Sequence, residues 1–342
     1  MRDFHCSNCG QQLSFENTVC LNCGRNLGFH LPSHTIQVLD DDEKGSVEGA
    51  TIVRCADNLT AACNWMVEEG PDLPALCESC RLTRTRPSDS DEQAMAAFAE
   101  SEAAKRRVIY ELDELKLPIF GKDTDPETGL AFDLLSSRDQ PVTTGHADGV
   151  ITLDLAEGDD VHRERLRVSM DEPYRTLIGH FRHEIGHFYQ MVLVGDGPNL
   201  ERYTELFGDP NTSYQDAIDR HYNDGPPENW EQDYVSSYAT MHPFEDWAET
   251  FAHYLHIRDT LDTAAAFALA PAGATLEADL PGKVGFERII DWWLPLTWAL
   301  NQINRSMGHQ DLYPFVLPPK VLEKMEFIHE LVSSDDRAVV AQ

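Results

Sequence analysis

Three things are scarce in this sequence. Long apolar runs are the first. The best candidate, Ala264 to Ala274, is Ala-rich, interrupted by Pro271 and far too short to span a bilayer. The opening residues Met1-Arg2-Asp3-Phe4-His5-Cys6 enter a cysteine motif with no apolar stretch before it, which speaks against a secretory leader. Positive charge is the second: 27 Lys and Arg face 59 Asp and Glu, a formal charge of -32 at pH 7. A surface of that sign repels phosphate backbones and anionic lipid, so neither nucleic acid nor a membrane is an expected partner. The third is cysteine beyond residue 80. All eight cysteines lie between Cys6 and Cys80. The expected compartment is the cytoplasm, where thiols stay reduced.

The cysteines that are present have metal-ligand spacing. Cys6-x-x-Cys9 and Cys20-x-x-Cys23 are two knuckles, each followed by a glycine suited to a tight turn, Gly10 and Gly24. Together they make one four-thiolate zinc site. Cys77-x-x-Cys80 is a third knuckle, and with the more widely spaced Cys55 and Cys63 it makes a second. Whether the two sites use consecutive quartets or interleaved pairs is open at this level. Two disulfides fit poorly, because a Cys-x-x-Cys loop is short for an unstrained bridge. Four thiolates close a zinc shell, so both sites read as structural, and metal binding would stabilise a segment with little core of its own. Between Thr83 and Asp91 the composition turns to Arg, Pro, Ser and Asp, which places a domain boundary near Pro87.

Beyond it, Ser90-Asp91-Glu92-Gln93 reads as a helix start, and Met95, Phe98, Ile109 and Leu112 give that helix an apolar face up to Pro118. Val142-Thr143-Thr144 and Val150 to Leu155 alternate like two strands around an Asp148-Gly149 turn. They form either an ordinary half-buried hairpin or an edge that pairs with an extended peptide.

The chemistry centres on Phe181-Arg182-His183-Glu184-Ile185-Gly186-His187-Phe188, in a helix expected to begin at Asp171-Glu172-Pro173. His183 and His187 are i and i+4 and leave one face a turn apart, so both can bind one metal ion. Glu184 stands beside them, where a carboxylate can take a proton from attacking water. His180 shares that face and reads as a core histidine, with a partner to a ligand side chain as the other reading. Gly186 costs a helix about 1 kcal/mol against Ala, which implies close backbone approach there. With 14 histidines in the chain the pattern can arise by chance, so a third ligand is required.

The stretch Ser237-Tyr238 to Tyr254 offers one. Pro243 suits a first helical turn, and Phe244, Trp247, Ala248 and Phe251 form the apolar side. Glu245 and Glu249 share another face, where two carboxylates repel unless a cation lies against them. One would ligate and the other would hydrogen-bond a ligand imidazole. Asp246 and Glu249 are the alternative ligands.

His-Glu-x-x-His followed by a helix with Glu-x-x-x-Glu resembles the gluzincins, and most closely the catalytic domain of anthrax lethal factor and its relatives. The seven-residue step from Tyr238 to Glu245, with Ser237 before the tyrosine, is part of that likeness. The resemblance implies zinc held by His183, His187 and Glu245, Glu184 as general base, Tyr238 as oxyanion donor and Glu249 beside a ligand histidine. His242, Asp246 and His253 are extra to it. The whole chain, cysteine motifs included, resembles bacterial zinc-binding metallopeptidases with an N-terminal zinc-ribbon region. The expected fold is α+β: a zinc-ribbon or rubredoxin-like module with two zinc ions over 1–87, then a mostly helical zincin-like domain with a short antiparallel sheet over 88–342. The expected function is zinc-dependent hydrolysis of peptide bonds in a peptide or protein substrate.

Two other classes stay open. One is a zinc-dependent adaptor that keeps the fold without turnover, although such a protein needs neither Glu184 nor Tyr238. The other is a nucleic-acid-associated ribbon protein. Charge opposes it in both halves: 7 basic and 12 acidic residues up to Pro87, 20 and 47 after it. Towards the C-terminus, Ala264 to Gly282 reads as a mobile or capping loop. Pro295 is expected to kink or break a helix over Phe286 to Ile303, with Trp292, Trp293 and Trp298 in the core. Val321 to Val332 reads as a last amphipathic helix, and the tail after Ser333 as frayed.

Overall fold

A computed structural model describes residues 1–71, 74–138, 141–158 and 176–334. The expected helix start at Asp171-Glu172-Pro173 and the tail from residue 335 lie outside them. The chain forms two compact units, residues 1–110 with 120–160, and residues 111–119 with 161–342. The architecture is α+β, as expected: small sheets with cysteine clusters in the first unit, mostly helix in the second.

The first unit is built from short antiparallel pairs. β1 (Phe4–His5) pairs with β2 (Gln12–Leu13), and β3 (Leu27–His30) with β4 (Thr35–Val38). β5 (Gly45–Val47), β6 (Ala50–Arg54) and β7 (Met66–Glu68) form a three-stranded sheet. Strands this short bury little, and an aromatic cluster compensates. Phe15, Phe29 and Trp65 are buried, with ring centroids 4.7 Å apart for Phe15–Phe29 and 5.4 Å for Phe29–Trp65.

β8 (Thr83–Thr85) precedes the long helix α1 (Glu92–Glu114). Asp91 accepts from the Ala94 amide at 3.0 Å and starts that helix. Phe98, Ile109 and Leu112 are buried along it, as the apolar spacing predicted. β9 (Ala131–Leu135), β10 (Gly145–Ala147) and β11 (Val150–Asp154) complete a sheet of order β10-β11-β9-β8. Asp148 (φ 48°) and Gly149 (φ 79°) make the β10–β11 turn. A Cβ at Gly149 would sit 2.2 Å from the Thr128 carbonyl oxygen, so only glycine fits. The first strand of that hairpin lies three residues later than its alternation suggested. The hairpin is antiparallel, but β11–β9 and β9–β8 are parallel. Since β8 pairs with β9, packing in the first unit runs past the composition change at Pro87.

The second unit holds α2 (Leu177–Leu193), α3 (Leu200–Phe207), α4 (Tyr214–Asp224), α5 (Pro243–Ala266), α6 (Gly282–Ser306) and α7 (Pro319–Ser333). Leu261, Ile289, Trp293, Val321 and Met325 belong to its core. α6 narrows one expectation, that Pro295 would kink or break the helix. Pro295 sits inside the helix without ending it. The carbonyl a proline leaves without its helical N–H belongs to the residue four earlier, here the exposed Asp291, where water can serve it. Trp293 is core as expected, whereas Trp298 is 68% exposed.

Candidate metal centre

α2 and α5 carry the centre, and local sequence explains both. Thr176 caps α2 by accepting from the Gly179 amide at 3.1 Å. Phe181, Ile185, Phe188 and Tyr189 bury one face, and Gly195 (φ 44°) follows its end. Pro243 opens α5, with the His242 ring accepting from the Phe244 amide at 3.2 Å. Trp247, Ala248 and Phe251 are fully buried. The helices meet at Gly186, where a Cβ would lie 3.0 Å from the Ala248 Cα. Trp247 Nε1 donates to the Gly186 carbonyl at 2.8 Å, which fixes the crossing. This is the close approach that a glycine inside α2 implied.

At the crossing, His183 Nε2 lies 3.0 Å and His187 Nε2 3.5 Å from Glu245 Oε2. His183, His187 and Glu245 each offer a ligand atom, all within 4.8 Å of one another. His183 Nδ1 donates to Glu249 Oε1 at 2.7 Å, and the Ser236 hydroxyl donates to Glu249 Oε2 at 2.6 Å. That arrangement leaves Nε2 of His183 for the shared point. Tyr214 donates to Glu245 Oε1 at 2.8 Å. Glu184 is buried, and among the described residues its Oε2 finds no hydrogen-bond partner.

The electrostatics favour a cation here. Burial opposes charge on His183, yet the hydrogen-bonded Glu245 and Glu249 outweigh it and raise its pKa well above the ordinary value. Burial would raise Glu249, but its bond to His183 holds it at about 2. Burial likewise opposes ionisation of Glu245, and the two imidazoles pull it well below the carboxylate range. Two ionised carboxylates directed at imidazole nitrogens would favour a divalent ion among those atoms for the same reason. Two imidazoles and a carboxylate are also the donor set of a hydrolytic zinc centre with one position left over. The residues fit zinc.

The cysteines fall into consecutive quartets, Cys6/Cys9/Cys20/Cys23 and Cys55/Cys63/Cys77/Cys80, which closes the question of interleaving. Cys6–Cys23, Cys9–Cys20 and Cys63–Cys77 sulfurs are 3.8, 3.6 and 3.7 Å apart. A tetrahedron with Zn–S of about 2.3 Å has edges of about 3.8 Å. The first two knuckles share one turn: Gly10 N–H donates to Cys6 O and Gly24 N–H to Cys20 O, both at 2.8 Å, with φ of 74° and 70°. In the first quartet Cys9 is exposed and Cys23 half-buried, whereas the second is buried throughout. The Arg25 amide and then the Asn8 side chain pull Cys23 down to about 6.

Other predicted residues have distinct places. Tyr238 starts a short 3₁₀ turn, its ring 6.0 Å from that of His183. Asp246, an alternative ligand, pairs instead with Lys324 at 2.6 Å, both buried. Glu249 holds Nδ1 of His183 rather than lying among the three ligand atoms. His253 bonds the Tyr313 hydroxyl at 2.8 Å. His180 is half-buried, not core. Sequence reasoning missed Tyr214 and Ser236. Neither belongs to a spaced motif, and only packing brings them to the glutamates.

A sequence model of the family described as "putative zinc-binding metallo-peptidase" matches residues 94–331. The chain belongs to that family. The N-terminal stretch of this metallopeptidase-family chain, residues 3–91, matches a zinc-ribbon domain. Uncharacterised proteins of Mycobacterium bovis and of two Mycobacterium tuberculosis strains are 61% identical over 333 residues, covering 97% of this chain and 95% of each relative. No solved structure matches at a significant level. Among the described residues no helix is long and apolar enough to cross a membrane.

Proposed function

We propose that the chain is a zinc-dependent peptidase of gluzincin type, with His183, His187 and Glu245 holding the ion. The observation that carries this reading is a buried Glu184 oxygen without a partner among the described residues, on the helix that carries two of the three converging ligand atoms. Zinc, when bound, supplies Lewis acidity that acidifies water and polarises a carbonyl. Glu184 Oε2 takes the proton of the attacking water and returns it to the leaving amine as the C–N bond breaks. Glu249 keeps His183 in the tautomer whose Nε2 faces the ion. Burial, then the charge of Glu245, raises the Tyr238 phenol above its ordinary value, so it keeps the proton it donates to the developing oxyanion.

Each Cys₄ quartet would hold one structural zinc, giving three ions per chain. The substrate is a peptide or protein, the compartment cytoplasmic, and neither membrane nor nucleic acid is bound. Metal analysis with a peptide-library digest tests this reading. Wild type should carry three zinc ions and cleave; Glu184→Gln should carry three and not cleave. Equal cleavage by both would overturn the mechanism, and cleavage by neither would leave a zinc-dependent adaptor. Salt-sensitive binding of DNA or RNA would revive the ribbon alternative.

A further inference from the structure

Glu245 has two carboxylate oxygens, and they are treated differently. Oε2 faces both imidazoles, at 3.0 and 3.5 Å. Oε1 accepts from Tyr214 at 2.8 Å. An unrestrained carboxylate can turn and offer both oxygens to a metal ion, which fills a coordination position. A hydroxyl bonded to one oxygen opposes that turn.

Tyr214 is well placed to hold a direction. It is the first residue of α4, whose start is capped by Ser213 accepting from the Asp216 amide. α4 and the loop before it are fastened to the residues leading into α5. Thr212 Oγ1 lies 3.0 Å from His242 Nε2, and Arg220 Nη2 donates to the Met241 carbonyl at 3.0 Å. The Tyr214 and His242 rings are 5.1 Å apart. The anchoring thus falls on the two residues just before α5, a turn from Glu245.

We propose that Tyr214 is a positioning residue that would keep Glu245 on the ion through Oε2 alone, leaving a coordination position for the reaction. This rests on the reading of His183, His187 and Glu245 as the ligands. The bland alternative is a surface tyrosine that bonds the nearest carboxylate. That alternative predicts a loss of stability at most, with no change at the metal.

The test uses the full-length protein and Tyr214→Phe, which keeps the ring against His242 and removes only the hydroxyl. After mild chelation empties the histidine site, zinc affinity is measured by competition, and Co²⁺ is added back for its d–d absorption. Expected for Tyr214→Phe is an affinity lower by about 10- to 100-fold. The Co²⁺ bands should also weaken as the second carboxylate oxygen joins the shell. Glu245→Gln serves as the reference and should lose the metal further. Unchanged affinity and spectrum in Tyr214→Phe, with the metal weakened in Glu245→Gln, would overturn the role of Tyr214 and leave the ligand assignment standing. Full metal affinity in Glu245→Gln would sink the ligand assignment, and this proposal with it.

Discussion

The two units place metal-ligating side chains in opposite ways. In the first, each cluster offers four thiols with no carboxylate or water needed to finish a tetrahedron. In the second, three donors of two kinds converge, and the Glu184 carboxylate on the same helix as two of them has a buried oxygen with no partner among the described residues. The difference teaches how to separate a closed structural site from a candidate reaction centre: count the donors, then look for an acid that structure alone does not explain. Burial separates the two cysteine clusters as well. The second is enclosed, with Cys80 Sγ 3.9 Å from the buried Glu102, while the first exposes Cys9.

The sharpest break in this comparison should come from a buried cysteine. Zinc bound by such a site carries about 10–16 kcal/mol of apparent binding free energy that is also folding free energy. Cys63→Ser should therefore cost one zinc ion and unfold the first unit, whereas Cys9→Ser should be milder. Zinc content and circular dichroism of the full chain check both. Next in size, Glu184→Gln should lower peptide turnover by about 10²- to 10⁴-fold, with zinc content unchanged. Chelator titration should remove the histidine-site ion first, because its shell is open and has fewer donors.

A smaller effect belongs to the helix crossing. Gly186→Ala gains about 1 kcal/mol in helix propensity. Its Cβ, however, would meet Ala248 backbone at 3.0 Å. Overpacking of this kind costs about 1–3 kcal/mol. The expected outcome is a modest net loss in urea unfolding with weaker zinc binding at the histidine site. Tighter zinc binding would show that the spacing is not set there.

An effect of similar size is on pH. His329 is buried, with Nε2 donating to the Leu280 carbonyl at 2.7 Å, and burial followed by the Arg258 charge pulls it down to about 4. Its unfolded value is near 6.5. The unfolded chain thus binds the proton more readily, so the stability from this residue is present above 6.5 and lost as pH falls toward 4. Between pH 7 and pH 5 the loss is about 2 kcal/mol. Urea unfolding followed by tryptophan fluorescence at both pH values measures it. His329→Gln, which cannot titrate, should flatten that share.

Much of the centre was legible because its parts are local patterns. His183 and His187 share a helical turn, Pro243 starts a helix, and the Cys-x-x-Cys pairs carry their own glycines. Gly186 was readable from its cost to the helix. Tyr214 was not, because its value lies in a bond to Glu245, 31 residues away, that no periodicity marks. The parallel pairing of β11, β9 and β8 was hidden for a similar reason: alternation shows that a segment is a strand, not which neighbour it takes. Of the two outcomes expected at Pro295, the break does not occur, because a proline's penalty depends on where the orphaned carbonyl points, and Asp291 is exposed.

His183 and Glu245 are 62 residues apart and meet only once α2 and α5 have packed around Gly186. Each cysteine quartet, by contrast, spans at most 26 residues, from Cys55 to Cys80. During synthesis the cysteine sites can fill as soon as their short loops emerge, whereas the histidine site waits for long-range assembly. The histidine site is therefore complete only after both of its helices have been made, later than either cysteine site.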